Sequence, residues 1–212
     1  MSIISDYSLY LVLSSEYAKN KDILSIAKFA IEGGIDMIQL REKLNSPNRL
    51  IKIAKELSRL CKSTNKIFIV NDDPELARIV DADGVHLGQE DIKKTSIQKV
   101  KKILGKNKFI GLSTHSTKEI KEAKQYNPDY ISFGPIFPTE VKNYSIGTND
   151  IKKVMSLSSW PVFFIGGIDI FNISEILSLG AKNIAMIKEI IQSEDIPEKI
   201  KQIKKIMNGY SP

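Results

Sequence analysis

Gln39-Leu40-Arg41-Glu42-Lys43 puts two cations, an amide and a carboxylate within one short stretch. It follows Asp36-Met37-Ile38, an apolar run that reads as a strand, and precedes Pro47 and a helix-like run. Alternate side chains of a strand point the same way, so Gln39, Arg41 and Lys43 share one direction where the strand ends and a loop begins. An Arg fork, a Lys point charge and an amide suit a polyanion such as diphosphate. The same residues also suit a solvated turn carrying salt bridges, which leaves the choice to the rest of the chain.

Other polar groups fall at comparable places. Asn71-Asp72-Asp73 precedes Pro74, and Asp73 is the better helix cap, leaving Asp72 for other work. Asp91 follows the next apolar run. Carboxylates from neighbouring strand ends can share one hard cation, and Mg²⁺ is usually held by one or two carboxylates together with substrate phosphates. His115 has a ring that titrates near neutral pH and suits acid–base chemistry; it also suits a loop histidine bonded to the backbone. His86, within a short strand, reads as a packed residue. Gly166-Gly167 and the strand end at Ile187-Lys188 occupy the loops that in barrels often build a phosphate site from backbone N–H groups.

The elements that must carry these groups alternate. Strands are expected over residues 7–13, 36–40, 66–71, 84–87, 109–112, 130–133, 162–165 and 184–187. Helices are expected over 22–31, 48–62, 74–80, 97–104, 117–126, 151–157, 173–179 and 197–207. The strands are continuous apolar runs, as when both faces are covered, and no hairpin signals join them. Eight strand–helix units predict a single (β/α)8 barrel, and such barrels often run as one domain of about 200–250 residues. This chain has 212. Active groups of a barrel lie at the C-terminal ends of its strands. Polar residues stand at all of those ends but the first, which packing alone does not require.

Hydrophobic residues make up 42% and charged residues 26%, ordinary for a globular protein. The net charge of +6 comes from lysines scattered along helix-like segments, with no basic stripe interleaved with aromatics. Nucleic acid is therefore not the expected partner. The single cysteine, Cys61, excludes an internal disulfide, suits a reducing cytoplasm and reads as a small core residue. No apolar run reaches membrane-spanning length, and the N-terminus lacks a signal pattern, so a cytoplasmic protein, possible as a homo-oligomer, is expected.

Taken together, Gln39-Leu40-Arg41-Glu42-Lys43, Val70-Asn71-Asp72-Asp73, Ala82-Asp83-Gly84-Val85-His86-Leu87-Gly88-Gln89-Glu90-Asp91, Gly111-Leu112-Ser113-Thr114-His115-Ser116, Gly134-Pro135-Ile136-Phe137-Pro138-Thr139-Glu140, Lys142 and Gly166-Gly167-Ile168 resemble the thiamine-phosphate synthase family over nearly the whole chain. The resemblance implies the same barrel. It also implies a Mg²⁺-dependent transfer of a hydroxymethylpyrimidine from its diphosphate to a thiazole phosphate, with release of pyrophosphate. By that resemblance the Gln39–Lys43 stretch, Leu40 and Glu42 included, joins Asn71, Ser113 and Lys142 on the pyrimidine diphosphate. Asp72 and Asp91 would bind Mg²⁺. Thr139, Glu140, Val141, Gly167, Ile187 and Lys188 would surround the thiazole phosphate.

The chain departs from the family pattern on the thiazole side. Val141 stands where the family usually has a second Thr, and Lys188-Glu189 where it usually has Ser-Ala; the loop after Lys142 is also short. A related branch of the same fold isomerises a thiazole carboxylate phosphate with a histidine that matches His115. That branch typically lacks the metal carboxylates, so Asp72 and Asp91 favour the synthase. A non-catalytic barrel that binds a phosphorylated metabolite is the remaining alternative.

Overall fold

Eight parallel strands close on themselves in chain order: β1 (Leu9–Leu13), β2 (Met37–Leu40), β3 (Ile67–Asn71), β4 (Gly84–Leu87), β5 (Phe109–Thr114), β6 (Tyr130–Phe133), β7 (Val162–Ile165) and β8 (Asn183–Met186), with β8 paired back onto β1. The structure is a computed structural model that describes residues 4–42, 46–139 and 144–210. Helices α1 (Ile23–Gly33), α2 (Pro47–Ser63), α3 (Pro74–Ile79), α4 (Gln89–Lys94), α5 (Ile97–Leu104), α6 (Thr117–Ala123), α7 (Ile151–Leu157), α8 (Ile173–Ser178), α9 (Lys188–Ile191) and α10 (Ile196–Asn208) lie on the connections. This is the expected (β/α)8 barrel.

The ends of several helices have a local cause. Asp22 accepts from the Ser25 N–H at the start of α1, and Gly34 at φ 96° ends it. Pro47 opens α2, which turns Ala54, Leu57 and Cys61 inward. Cys61 is buried, and burial followed by the charge of Asp83 pushes its thiol up to about 12, so it packs rather than reacts. Asp73 caps α3 through the Leu76 N–H, as its place before Pro74 predicts.

The strands sort side chains into two layers. Outward residues such as Leu11, Ile38, Val70 and Ile131 pack under the helices. Inward residues such as Met37, Ile69, Phe109 and Phe163 fill the barrel. Each fully buried Leu, Ile or Phe contributes about 1.5–3 kcal/mol relative to exposure, so the covered sheet dominates stability. Among the described residues no helix is long and apolar enough to cross a membrane.

The N-terminal ends of the strands carry a repeated clasp that the sequence did not announce. Asp36, Asp83 and Asp129, each just before an even-numbered strand, accept from the backbone N–H of Leu9, Phe68 and Ile110 at 2.8 Å. Asn183 does the same for Ser8 at 2.9 Å. The clasps tie neighbouring strands together on the face opposite the candidate chemistry.

Several element boundaries differ from expectation, among them the end of β5 at Thr114 and of α6 at Ala123. Residues 89–94 form helix α4 rather than a loop; their one buried apolar side chain, Ile92, gives no periodicity to read. β1 starts at Leu9 because Tyr7, at φ 62°, is not extended. β8 runs one residue earlier than expected and leaves Ile187 as the cap of α9.

Candidate active site

The register of β2 settles where its polar end points. Met37 faces the barrel interior, so Gln39 does too, and Gln39 is buried. Its amide Nε2 donates to the Tyr10 hydroxyl at 2.7 Å. Leu40 faces outward and is buried under the helices, leaving only its backbone toward the mouth. The Arg41 N–H donates to the Leu13 carbonyl at 2.9 Å, and its guanidinium lies 3.9 Å from the Glu16 carboxylate. Glu42 turns to the loop after β1: the Ser15 hydroxyl donates to it at 2.6 Å and the Ser15 N–H donates as well. Glu42 therefore fixes the β1 loop beside Arg41. Lys43, Glu140, Val141 and Lys142 lie outside the described residues.

Asn71 ends β3 and Asp72 follows at φ 60°, a left-handed conformation that Asp adopts more readily than most residues. Asp91 stands in the first turn of α4, whose cap is Gly88. Both carboxylates converge on Gly88. Its N–H donates to Asp72 Oδ1 at 3.1 Å, and a side chain there would meet Asp91 Oδ2 at 2.9 Å and Asp72 Oδ1 at 3.9 Å. Desolvation of the carboxyl and then repulsion from Asp91 hold the Asp72 pKa above its usual range; the Gly88 and Asn71 N–H groups oppose this. Asp72 is exposed as a residue, so the desolvation is local to its carboxyl. Two carboxylates that disfavour each other's charge fit a divalent cation, which would relieve the repulsion. Among the described residues no group of three or more potential ligands forms, so water and substrate oxygens would complete the coordination of such an ion.

Ser113 reaches the interior from β5 and bonds the His86 ring: Nε2 lies 3.0 Å from its Oγ. The Ser132 hydroxyl lies 3.3 Å from the same nitrogen. His86 Nδ1 lies 3.2 Å from the Tyr130 hydroxyl, which is 3.0 Å from that of Tyr10. His86 is packed, as expected, and burial pulls its pKa down to about 4, so it is neutral at physiological pH. Burial raises the phenols of Tyr10 and Tyr130 above their ordinary value, so both stay protonated. His115 stands apart from this group. Its Nδ1 lies 3.2 Å from Glu119 Oε2, and its backbone N–H donates to the same oxygen at 2.6 Å.

On the other side of the mouth, Gly166 and Gly167 adopt φ 101° and 64°. They press the β7 loop onto the loop that leads to Thr139: a side chain on Gly167 would meet the Pro138 carbonyl at 2.7 Å. Ile187 caps α9, and Lys188 is its first residue. The Lys188 ammonium lies 5.2 Å from the centroid of the Tyr17 ring, while Glu189 pairs with Lys199 at 2.9 Å. An open groove lined by Lys21, Phe29 and Glu194 between the starts of α1 and α10 holds none of the candidate residues.

The chain has known relatives along its length. The family described as thiamine monophosphate synthase matches residues 9–190. The chain belongs to this family. A thiamine-phosphate synthase of Persephonella marina is 36% identical, covering 97% of this chain and 98% of the relative. One from Dictyoglomus thermophilum is 39% identical, covering 99% and 94%. The solved thiamine phosphate pyrophosphorylase of Pyrococcus furiosus superposes with a TM-score of 0.85 at 33% identity, covering 97% of this chain and 98% of that one. Membership does not by itself account for Tyr10, Tyr130 and Ser132, which no linear motif singled out. The available signal was a polar tip on an inward strand position, which must find a partner when buried.

Proposed function

We propose that this chain is a thiamine-phosphate synthase, a transferase that joins a hydroxymethylpyrimidine, carried as its diphosphate, to a thiazole phosphate and releases pyrophosphate. The convergence of Asp72 and Asp91 on Gly88, beside Asn71 at the end of β3, carries this reading.

Asp72 and Asp91 would hold Mg²⁺ together with diphosphate oxygens. When bound, the ion supplies positive charge where the leaving group gains negative charge. Arg41 and Asn71 bind the diphosphate from the same rim, Arg41 through a planar fork of donors. Its pairing with Glu16 is long and half-exposed, so it gives way readily to a phosphate. Gln39 and Ser113 orient the pyrimidine from the floor of the mouth. Lys43 and Lys142 are the further cations assigned by the family resemblance. Thr139, Gly167 and the backbone at Ile187 and Lys188 form the thiazole phosphate side, with Glu140 and Val141 adjoining in sequence. The thiazole nitrogen is the nucleophile, so no enzyme nucleophile is required. Buried Cys61 is no candidate for one.

The deciding experiment supplies both substrates to purified protein with Mg²⁺ and with chelator, and follows thiamine phosphate and pyrophosphate together. Equimolar products that depend on Mg²⁺ are expected. Isomerisation of a thiazole carboxylate phosphate without condensation would replace this reading with the tautomerase one.

A further inference from the structure

One unbroken line of hydrogen bonds crosses the barrel interior from the end of β2 to the end of β5: Gln39, Tyr10, Tyr130, His86, Ser113. Its members come from five strands, and one direction along it gives each phenol proton an acceptor. The Gln39 NH₂ group is only a donor, so the Tyr10 oxygen accepts from it. In that direction the Tyr10 proton goes to the Tyr130 oxygen, 3.0 Å away, and the Tyr130 proton to His86 Nδ1, 3.2 Å away. The imidazole has hydroxyl partners on both nitrogens and no carboxylate, which suits the neutral ring. A neutral imidazole that accepts at Nδ1 carries its proton on Nε2. That proton points at Ser113 Oγ, 3.0 Å away, with Ser132 Oγ alongside at 3.3 Å. In that direction Ser113 accepts from beneath, which leaves its own proton for a partner in the mouth.

The neighbouring strand is shaped to let this line through. Gly111 sits on β5 opposite His86 and Tyr130. A side chain there would come within 2.1 Å of Tyr130 Cζ, 2.4 Å of its hydroxyl and 2.5 Å of His86 Nδ1. The Tyr130 and His86 rings stack at 5.4 Å, and Phe163 braces both tyrosines edge-on.

We propose that Tyr10, Tyr130 and His86 are positioning residues: a one-way hydrogen-bond chain from Gln39 holds His86 as its Nε2–H tautomer and makes the Ser113 hydroxyl a fixed donor to the pyrimidine substrate. A fixed donor rejects a ring that offers N–H where the pyrimidine offers a lone pair, so the chain sets specificity on that side alone. The substrate half of this inference rests on the proposed function, and the tautomer half does not.

The first measurement is the ¹⁵N spectrum of the imidazoles in ligand-free protein. There are two histidines, and His115→Gln assigns them. A protonated Nε2 and bare Nδ1 on His86 are expected; a proton on Nδ1, or an even mixture, overturns the chain. The second measurement is kinetic. Tyr130→Phe keeps the ring and deletes the link to Nδ1. Its KM for the pyrimidine diphosphate should rise about tenfold, as for one lost hydrogen bond, with the thiazole phosphate KM within about twofold of the parent. Parallel rises in both constants, or no change in either, overturn the positioning role. Tyr10→Phe cuts the chain one link earlier and should show the same one-sided rise at smaller size, which keeps the test open if Tyr130→Phe does not fold. A parent without synthase activity would refute the proposed function while the spectrum still decides the chain.

Discussion

Lys188 places its ammonium over the Tyr17 ring, so the cation at the end of β8 leans toward the loop after β1 and the Arg41 side of the mouth. The charges of both Arg41 and Lys188 act on the Tyr17 phenol. Glu189 is engaged with Lys199 on α10, so it is not the anion that offsets a lysine at the start of α9. An ammonium over an aromatic face at an exposed site gains about 0.5–1 kcal/mol. A hydrogen bond to a charged group contributes about 1.5–3 kcal/mol, so a thiazole phosphate would draw Lys188 off the ring. Lys188→Ser should weaken thiazole phosphate binding about tenfold, or about 1.4 kcal/mol. Tyr17→Leu should change it by less than about threefold, since the ring only competes for the ammonium. Calorimetric titration of both variants checks this. Unchanged binding in Lys188→Ser would take Lys188 out of the thiazole phosphate site.

Asp72 and Asp91 should each be required for turnover. Asp72→Asn and Asp91→Asn keep the shape and remove one charge from the proposed cation site. Either should lower kcat/KM by about a hundredfold or more, since charge stabilisation at a departing group commonly contributes several kcal/mol. Mg²⁺ titrated against each variant should show a raised half-saturation concentration. Full activity of the parent after thorough chelation would remove the metal from the reaction.

The same pair makes stability depend on pH in an unusual direction. Asp72 has a folded pKa above its ordinary 3.8. A group raised in this way binds its proton more tightly in the native state than in the unfolded one. It is neutral toward stability below the ordinary carboxylate range and unfavourable above it, with the cost developing as pH rises from 3.8 through the raised value. In chelator at neutral pH, Asp72→Asn should therefore melt above the parent. The gap should close as pH falls below the carboxylate range, and millimolar Mg²⁺ should also close it by stabilising the parent alone. A parent that melts higher than the variant in chelator would show that the carboxylate is stabilised there, contrary to the raised pKa.

Residues 84–87, 130–133 and 162–165 were legible as strands to the residue, because each is a short, mainly apolar stretch between turn formers. The barrel followed from eight such runs alternating with helices. Asp72 and Asp73 separated correctly because Pro74 fixes where the helix begins. Helix α4 was not legible, since a single buried isoleucine carries no period. The inner polar chain was not legible either. Tyr10, Gln39, His86, Ser113 and Tyr130 are far apart in sequence, and only barrel closure decides that they meet. Reading His86 as packed was correct in burial and silent about its partners. The lean of Lys188 toward Tyr17 depends on β8 pairing with β1, a contact between the two ends of the chain.

The clasps on the opposite face yield a prediction that separates folding from chemistry. Asp83 Oδ2 accepts from the Phe68 N–H at 2.8 Å at the N-terminal end of the sheet. Asp83→Ala leaves that N–H without its acceptor beside the buried start of β3, at a cost of about 1–3 kcal/mol. For a chain of this size that corresponds to a melting temperature lower by roughly 2–12 °C. Asp83→Asn keeps an oxygen in place and should lose less than half as much. Both variants should retain parental KM values well below their melting temperatures, because the clasp lies at the far end of the strands from Asn71 and Ser113. Asp129→Ala should repeat the result through Ile110, and the two losses should add, since the clasps share no partner. Scanning calorimetry with steady-state kinetics on the single and double variants decides it: a changed KM for either substrate would mean that the clasps reach the mouth, and an unchanged melting temperature would mean that water satisfies the freed N–H groups.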